Sequence, residues 1–314
     1  MYSRFDVTIL GNSSATPTKD RDPSSQYLRL GPHSILLDCG EGTQSRIHEF
    51  GLKLQKISVI CISHLHGDHF FGLPGLITTM SLYRRIDPLV IIGPEGLQDI
   101  LMSLIAAGDS ELSFNIDFLT TQTNQSEVIF KHQDFQIQTV PLNHRIPCTG
   151  FIIKELGPIR RVNVNACQER NIPISFYESL KFGYDYFPNN ELRIPNSEVT
   201  WPLPKKRFYA YISDTKYDED IIPLISGADL LYHEATFMSD RQDRATDTFH
   251  STAKQAAIIA KKANVGQLLL GHYSARYSDL TPLLEEAKCE FFDSELSLQG
   301  ETYSVAKDEL KITK

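Results

Sequence analysis

Short β-branched and leucine-rich runs open the chain. Phe5–Leu10, Gln26–Leu30 and Ser34–Asp38 are parted by Gly, Pro, Asn and Ser, which predicts three strands. Val59–Ser63 is a continuous apolar run, the kind that forms a strand buried on both faces. It leads directly into His64-Leu65-His66-Gly67-Asp68-His69. Strands and helices then alternate. Helices are predicted at Leu73–Tyr83 and Gly96–Ala107, and strands at Leu89–Ile92, Phe135–Pro141 and Thr149–Lys154. Residues 155–205 differ: they are rich in Asn, Pro and aromatic residues and carry no lasting period. Regular structure resumes with strands at Phe208–Ser213, Asp229–His233 and Gln267–Leu270 and helices at Asp218–Ser226, Ser251–Ala263 and Leu280–Lys288. Ser251 or Thr252 is the expected N-cap of the Ser251–Ala263 helix. Two β-rich portions with helices outside imply a layered α/β architecture, with residues 155–205 projecting from it as an insertion.

The 314 residues, 41% hydrophobic and 22% charged, resemble an average soluble protein and can bury a core without disulfides. They exclude a disordered, collagenous or coiled-coil chain. No apolar run approaches the ~20 residues of a membrane span, and the start lacks the apolar segment of a signal peptide. A cytoplasmic location without membrane attachment is therefore expected. The five cysteines are scattered and form no C-x-x-C pair, which argues against disulfides or a thiolate zinc site. The net charge of −8 does not favour nucleic acid as a partner. The charge is uneven, however. Lys154–Arg207 holds nine basic and six acidic residues, a net of +3 against −11 elsewhere. A polyanion would have to meet that local patch.

The strongest chemical signal is His-x-His-x-Asp-His at 64–69, four ligand-type side chains within six residues at the end of a buried strand. A strand end followed by a tight loop can hold lone pairs in convergence, and Gly67 lets the backbone turn. Imidazole and carboxylate ligands without thiolates suit Zn²⁺, with Mn²⁺, Fe or Co as competitors. His144, Asp214 and His272 each follow the end of another predicted strand. A catalytic zinc needs three protein ligands and a structural one four, so seven ligands suit two ions. His33, His48 and His132 stand alone and read as surface or packed histidines.

Several motifs in order now extend this reading: L-G-N-S-S-A-T-P near the start, L-L-D-C-G-E-G-T-Q at 36–44, H-L-H-G-D-H-F-F-G-L-P-G at 64–75 and N-H-R at 143–145. They continue with I-S-D-T at 212–215, H-E-A-T-F at 233–237, H-S-T at 250–252 and G-H-Y-S-A-R-Y at 271–277. With these the chain resembles the ribonuclease Z family of metallo-β-lactamase-fold endonucleases, which trim the 3′ end of precursor tRNA. The resemblance implies a single domain over 1–314, a four-layer αββα sandwich with a tRNA-docking arm at about 155–205. It implies two zinc ions: His64, His66 and His144 on one, Asp68, His69 and His272 on the other, with Asp214 bridging. Asp68 would also orient the attacking water, and Asp38 is a candidate to fix a histidine tautomer. His250 is the candidate proton donor to the leaving ribose oxygen, because a histidine can supply a proton near pH 7. Glu234 would orient it. Arg276 would neutralise phosphoryl charge. The products would be a tRNA with a 3′-hydroxyl and a trailer with a 5′-phosphate, and the enzyme would be a homodimer.

Two segments depart from the family. The loop Pro17-Thr18-Lys19-Asp20-Arg21-Asp22 resembles a P-x-K-x-R-N loop near the acceptor end of the RNA, with Lys19 and Arg21 as its cations. Its final Asn is here Asp22, which adds negative charge. The arm keeps Lys181 and Gly183 but lacks the usual Gly-Pro. Its aromatics, Phe176, Tyr177, Phe182, Tyr184, Tyr186, Phe187 and Trp201, could stack on bases or pack on one another. Two alternatives to the RNase reading are a hydrolase of a small phosphodiester or other ester on the same scaffold, and a non-enzymatic RNA-binding relative. The arm speaks against the first, and the full set of seven ligands against the second.

Overall fold

The computed structural model describes residues 4–108, 111–188, 192–203 and 205–305; parts of the expected arm, residues 189–191 and 204, lie outside them. The chain first lays down β1 (Phe5–Gly11), β2 (Ser25–Leu30), β3 (His33–Cys39), β4 (Ile57–Cys61), β5 (Leu89–Gly93) and β6 (Ile116–Thr120). It continues with β7 (Val128–Lys131), β8 (Phe135–Leu142), β9 (Cys148–Glu155), β10 (Phe208–Ile212), β11 (Leu230–Glu234), β12 (Leu268–Gly271) and β13 (Ser294–Leu296). The last strand, β14 (Thr302–Ser304), returns to the first sheet. One seven-stranded sheet runs β14-β1-β2-β3-β4-β5-β6, and the other runs β13-β12-β11-β10-β9-β8-β7.

The expected four layers are present. Phe5, Val7, Ile9 and Ile35 of the first sheet meet Ile137, Phe151, Tyr209 and Tyr211 of the second in the central apolar layer. The β4 segment shows why its sequence is apolar throughout. Val59 and Cys61 face that layer, whereas Ile60 and Ile62 face the helices outside, as the period of two requires. Helices α1 (Thr43–Glu49), α2 (Leu73–Leu82) and α3 (Leu97–Ala107) cover the first sheet. Helices α4 (Ala253–Lys262) and α5 (Thr281–Glu290) cover the second. On α4, Ala253, Ala256, Ala257 and Ala260 form the buried stripe. Thr252 is its N-cap, in a capping box with Gln255.

Two departures from the sequence reading have physical causes. The helix expected over Asp218–Ser226 is a 3₁₀ turn at Glu219–Ile221 followed by one turn at Ile222–Ile225. Pro223 lacks the N–H that would continue the ladder. The strands not anticipated, β6, β7, β13 and β14, are the four sheet edges. Edge strands are short and half polar, so their periodicity is weak.

Residues 156–206 enter between β9 and β10, which are antiparallel neighbours. At the base the Glu155 N–H donates to the Arg207 carbonyl at 3.0 Å, and the Arg207 guanidinium sits on the Glu155 carboxylate at 2.6 Å. The arm has a ribbon of Arg160–Val162 against Thr200–Pro202, short helices at Val164–Glu169 and Tyr177–Lys181, and an apolar cluster of its own. Phe176, Tyr177 and Tyr186 pack on that cluster, while Phe182, Tyr184, Phe187 and Trp201 are exposed. Among the described residues no helix is long and apolar enough to cross a membrane.

Candidate metal centre

The seven ligand candidates converge at one end of the paired sheets. His64 follows β4, His144 follows β8, Asp214 follows β10 and His272 follows β12, each within three residues of the strand end. His66 precedes the helical turn Gly67–Phe70, which carries Asp68 and His69. His64 Nε2 lies 3.0 Å from His66 Nδ1, and His144 Nε2 lies 3.2 Å from the same atom. Asp214 Oδ2 faces this group, at 3.7 Å from His64 Nε2 and 3.8 Å from His144 Nε2. Its Oδ1 faces a second group, at 3.4 Å from His69 Nε2 and 3.2 Å from His272 Nε2. Asp68 Oδ2 completes that group at 3.5 Å from both nitrogens.

The tautomers follow from the outer hydrogen bonds. His69 Nδ1 donates to Asp38 Oδ2 at 2.7 Å, and His144 Nδ1 donates to the Phe249 carbonyl at 3.0 Å. His272 Nδ1 donates to Thr236 Oγ1 at 3.0 Å, whose own hydrogen goes to Glu234 Oε2 at 2.6 Å. His64 Nδ1 donates to Ser63 Oγ at 3.0 Å, and that hydroxyl donates to Asp38 Oδ2. Four histidines therefore turn an Nε2 lone pair inward. His66 is reversed: its Nδ1 faces the centre and its Nε2 lies 3.2 Å from Arg145 Nη2. His69 Nε2 and His272 Nε2 are buried without a hydrogen-bond partner, which is what a pair of metal-directed lone pairs would be. The clusters are thus able to bind metal.

Burial holds His64, His66 and His144 below the ordinary imidazole pKa, and for His64 the neighbouring His69 adds to it. Neutral imidazole is the metal-binding form. Burial opposes ionisation of Asp68 and Asp214, yet the surrounding histidines keep both well below the carboxylate range. The site also stores backbone strain. Ala15, Asp38, Phe249 and His272 have φ of 62°, 54°, 60° and 56°, in the left-handed region uncommon for residues with a Cβ. The Ala15 N–H donates to Asp68 Oδ2 at 2.7 Å. Gly271, beside His272, has no alternative residue, since a Cβ there would lie 2.2 Å from the Tyr232 ring.

Asp38 is fully buried and accepts from the Ser63 N–H at 2.7 Å and from the Tyr211 hydroxyl at 2.6 Å. Glu234 is likewise buried, and its Oε1 accepts from His250 Nδ1 at 2.8 Å and from the Thr215 N–H at 2.9 Å. Burial works against a charged His250, but Glu234 and then Asp214 and Asp68 raise its pKa to about 9. A cavity of about 540 Å³ opens over the centre, lined by His66, Asp68, His144, Arg145, Asp214 and His250. A second, of about 480 Å³, shares His250 and reaches Ser274 and Arg276.

The other expected cations are placed differently. Arg21 Nη2 donates to the Tyr277 carbonyl at 2.9 Å and to that of Ser274 at 3.4 Å, tying its loop to the segment after His272. Lys19 is exposed on the same loop. Asp22 is paired with Arg46 at 2.6 Å and accepts from Gln299 Nε2 at 2.9 Å, so its charge is compensated. Arg145 is visible in the sequence only as part of N-H-R, which assigns it no role. Thr236 is visible only as the Thr of H-E-A-T-F, which assigns it no role; Ser63 and Tyr211 carry no signal beyond their place in or beside strand ends, and the Phe249 carbonyl carries none.

A four-layer αββα sandwich with a His/Asp cluster at the strand ends places the chain among the metallo-β-lactamase-fold hydrolases. The metallo-β-lactamase-fold protein YhfI of Bacillus subtilis superimposes with a TM-score of 0.68 at 20% identity, over 96% of this chain and 99% of that one. The human tRNase Z, short form, superimposes with a TM-score of 0.70 at 27% identity, over 96% and 100%. A family model described as anti-Pycsar protein Apyc1 matches residues 5–159. Ribonuclease Z of Porphyromonas gingivalis is 42% identical over 287 residues, covering 91% of this chain and 94% of that one. The chain belongs to the ribonuclease Z family.

Proposed function

We propose that this chain is a zinc-dependent endoribonuclease that removes the 3′ trailer from precursor tRNA, leaving a 3′-hydroxyl on the tRNA and a 5′-phosphate on the trailer. The observation that carries the reading is the division of Asp214. One oxygen faces His64 and His144, the other faces His69 and His272, and His250 stands beside it on Glu234. Two Zn²⁺ ions, when bound, would make water nucleophilic near pH 7 and neutralise charge on the phosphoryl group. His64, His66 and His144 would hold one, Asp68, His69 and His272 the other, and Asp214 both.

The remaining steps belong to the chain's own side chains. Asp68 orients the attacking water. Glu234 Oε1 holds His250 Nδ1, which leaves Nε2 to protonate the departing ribose oxygen. A pKa raised to about 9 keeps His250 protonated at Nε2, and cation charge at Asp214 would lower that pKa toward the working pH, where a proton donor is most effective. Arg276, lining the cavity on the other side of His250, neutralises a phosphate there. Lys19 and Arg21 serve the acceptor end through their loop. The family resemblance supports a cytoplasmic homodimer.

The test is incubation with a precursor tRNA, with both product ends mapped at nucleotide resolution, before and after chelation and zinc restoration. Zinc-restored cleavage with the stated ends is expected. Hydrolysis of a small phosphodiester without cleavage of the tRNA would overturn the reading.

A further inference from the structure

At the end of the sandwich away from the metal centre, two hairpin turns bring together residues that are distant in the sequence. His33 begins β3, whose other end carries Asp38 about 17 Å away at the usual strand rise. His132 and Asp134 flank the turn between β7 and β8 of the opposite sheet. The sequence leaves His33 and His132 as isolated histidines; the fold makes them neighbours, with ring centroids 4.5 Å apart. His33 Nε2 is hydrogen-bonded to Asp134 Oδ2 at 2.9 Å, and His132 Nδ1, which accepts from the Asp134 N–H at 3.2 Å, lies 3.6 Å from the same oxygen, so a cation here would take the place of both hydrogen bonds. One ligand atom from each residue falls within 4.8 Å of the others.

We propose that His33, His132 and Asp134 form a third divalent-cation site, a zinc clip that fastens the two sheets at this end. First, tetrahedral zinc with bonds of ~2.0–2.1 Å sets its ligand atoms roughly 3.3 Å apart. The two spacings to Asp134, 2.9 Å and 3.6 Å, lie on either side of that value. Second, two imidazoles and a carboxylate are a donor set that zinc accepts, with water in the fourth position. Third, the ligands are held before any ion arrives. Phe135 packs against both rings at 5.3 Å and 5.4 Å, and the side chain of His33 is only 20% exposed. The turn is pinned by the His132 N–H on the Phe135 carbonyl at 2.8 Å and the Leu156 N–H on the Asp134 carbonyl at 2.7 Å.

The clip cross-links positions about a hundred residues apart without touching the catalytic machinery. A cation that binds only the folded chain stabilises it by mass action. The full-length protein, its catalytic centre already loaded, should take up one further zinc per chain on titration with zinc chloride. The H33A/H132A double variant and D134N should each take up one fewer than the parent while cleaving precursor tRNA at the parent rate. At a zinc concentration ~100-fold above the dissociation constant, the parent's melting temperature should rise by roughly 5 °C. Each variant, compared with its own zinc-free melt, should lose that rise. Because the readout is a difference between parent and variant, it does not depend on how many ions the catalytic centre holds. Equal zinc uptake in parent and both variants would overturn the proposal, as would an equal zinc-dependent rise in melting temperature.

Discussion

The metal centre and the arm both carry many polar residues, but they hold them in opposite ways. At the centre the ligands are largely buried, and four of the five histidines have their outer nitrogen committed to a named acceptor. In the arm, Arg170 pairs with Glu198, Lys181 with Glu178 and Arg193 with Asp185, all at the surface, where such pairs contribute little. Arg161 lies over the exposed Trp201 ring at 4.9 Å. Pre-organisation is therefore concentrated where the proposed reaction would develop charge, whereas the arm presents cations and aromatics at the surface.

Breaking the shared carboxylate should have the largest effect. Asp214→Ala should abolish detectable turnover and reduce metal content by elemental analysis, with the circular dichroism of the fold retained. Removing the proton donor should be next: His250→Ala should lower kcat by roughly 10²–10⁴ in steady-state assays without loss of metal. A variant that loses metal instead would make His250 a ligand. Asp38→Asn should weaken metal binding or activity by roughly 10–100-fold, measured by competition with a chelator. Asp38 reaches ligands in both groups, His69 directly and His64 through Ser63, so binding in both halves should suffer. The smallest effect on chemistry should come from the arm. Replacing residues 156–206 by an Asn-Gly turn should raise KM for precursor tRNA on the order of tenfold, equivalent to ~1.4 kcal/mol, and leave a minimal phosphodiester unaffected. The salt dependence of tRNA binding should flatten by ~0.7–0.9 in slope for each phosphate that the arm no longer neutralises.

The central strands, the convergence of the candidate ligands at their ends and the capping Thr252 were legible in the sequence because each rests on spacing or local chemistry. The edge strands β6, β7, β13 and β14 were not, since half-exposed residues carry weak periodicity. Nor were the supports supplied by main chain. The Phe249 carbonyl that turns His144 and the Ala15 N–H on Asp68 have no side-chain signature. The Asp22 charge looks disruptive in the sequence, and only the fold brings Arg46 beside it. The reversed orientation of His66 depends on Arg145 and the inward geometry of its neighbours, which no spacing encodes.

The closure of β9 onto β10 beneath the arm has a consequence for how such a protein can change over generations. The Lys154–Phe208 pairing and the Glu155–Arg207 clasp close the sheet beneath the arm. What lies between is, thermodynamically, a loop, and the entropy of closing a loop grows only logarithmically: doubling its length costs ~0.6 kcal/mol. Lengthening, shortening or exchanging this cassette is therefore nearly neutral for the scaffold. Selection can rewrite what the protein holds while leaving untouched what it does to the bond it breaks.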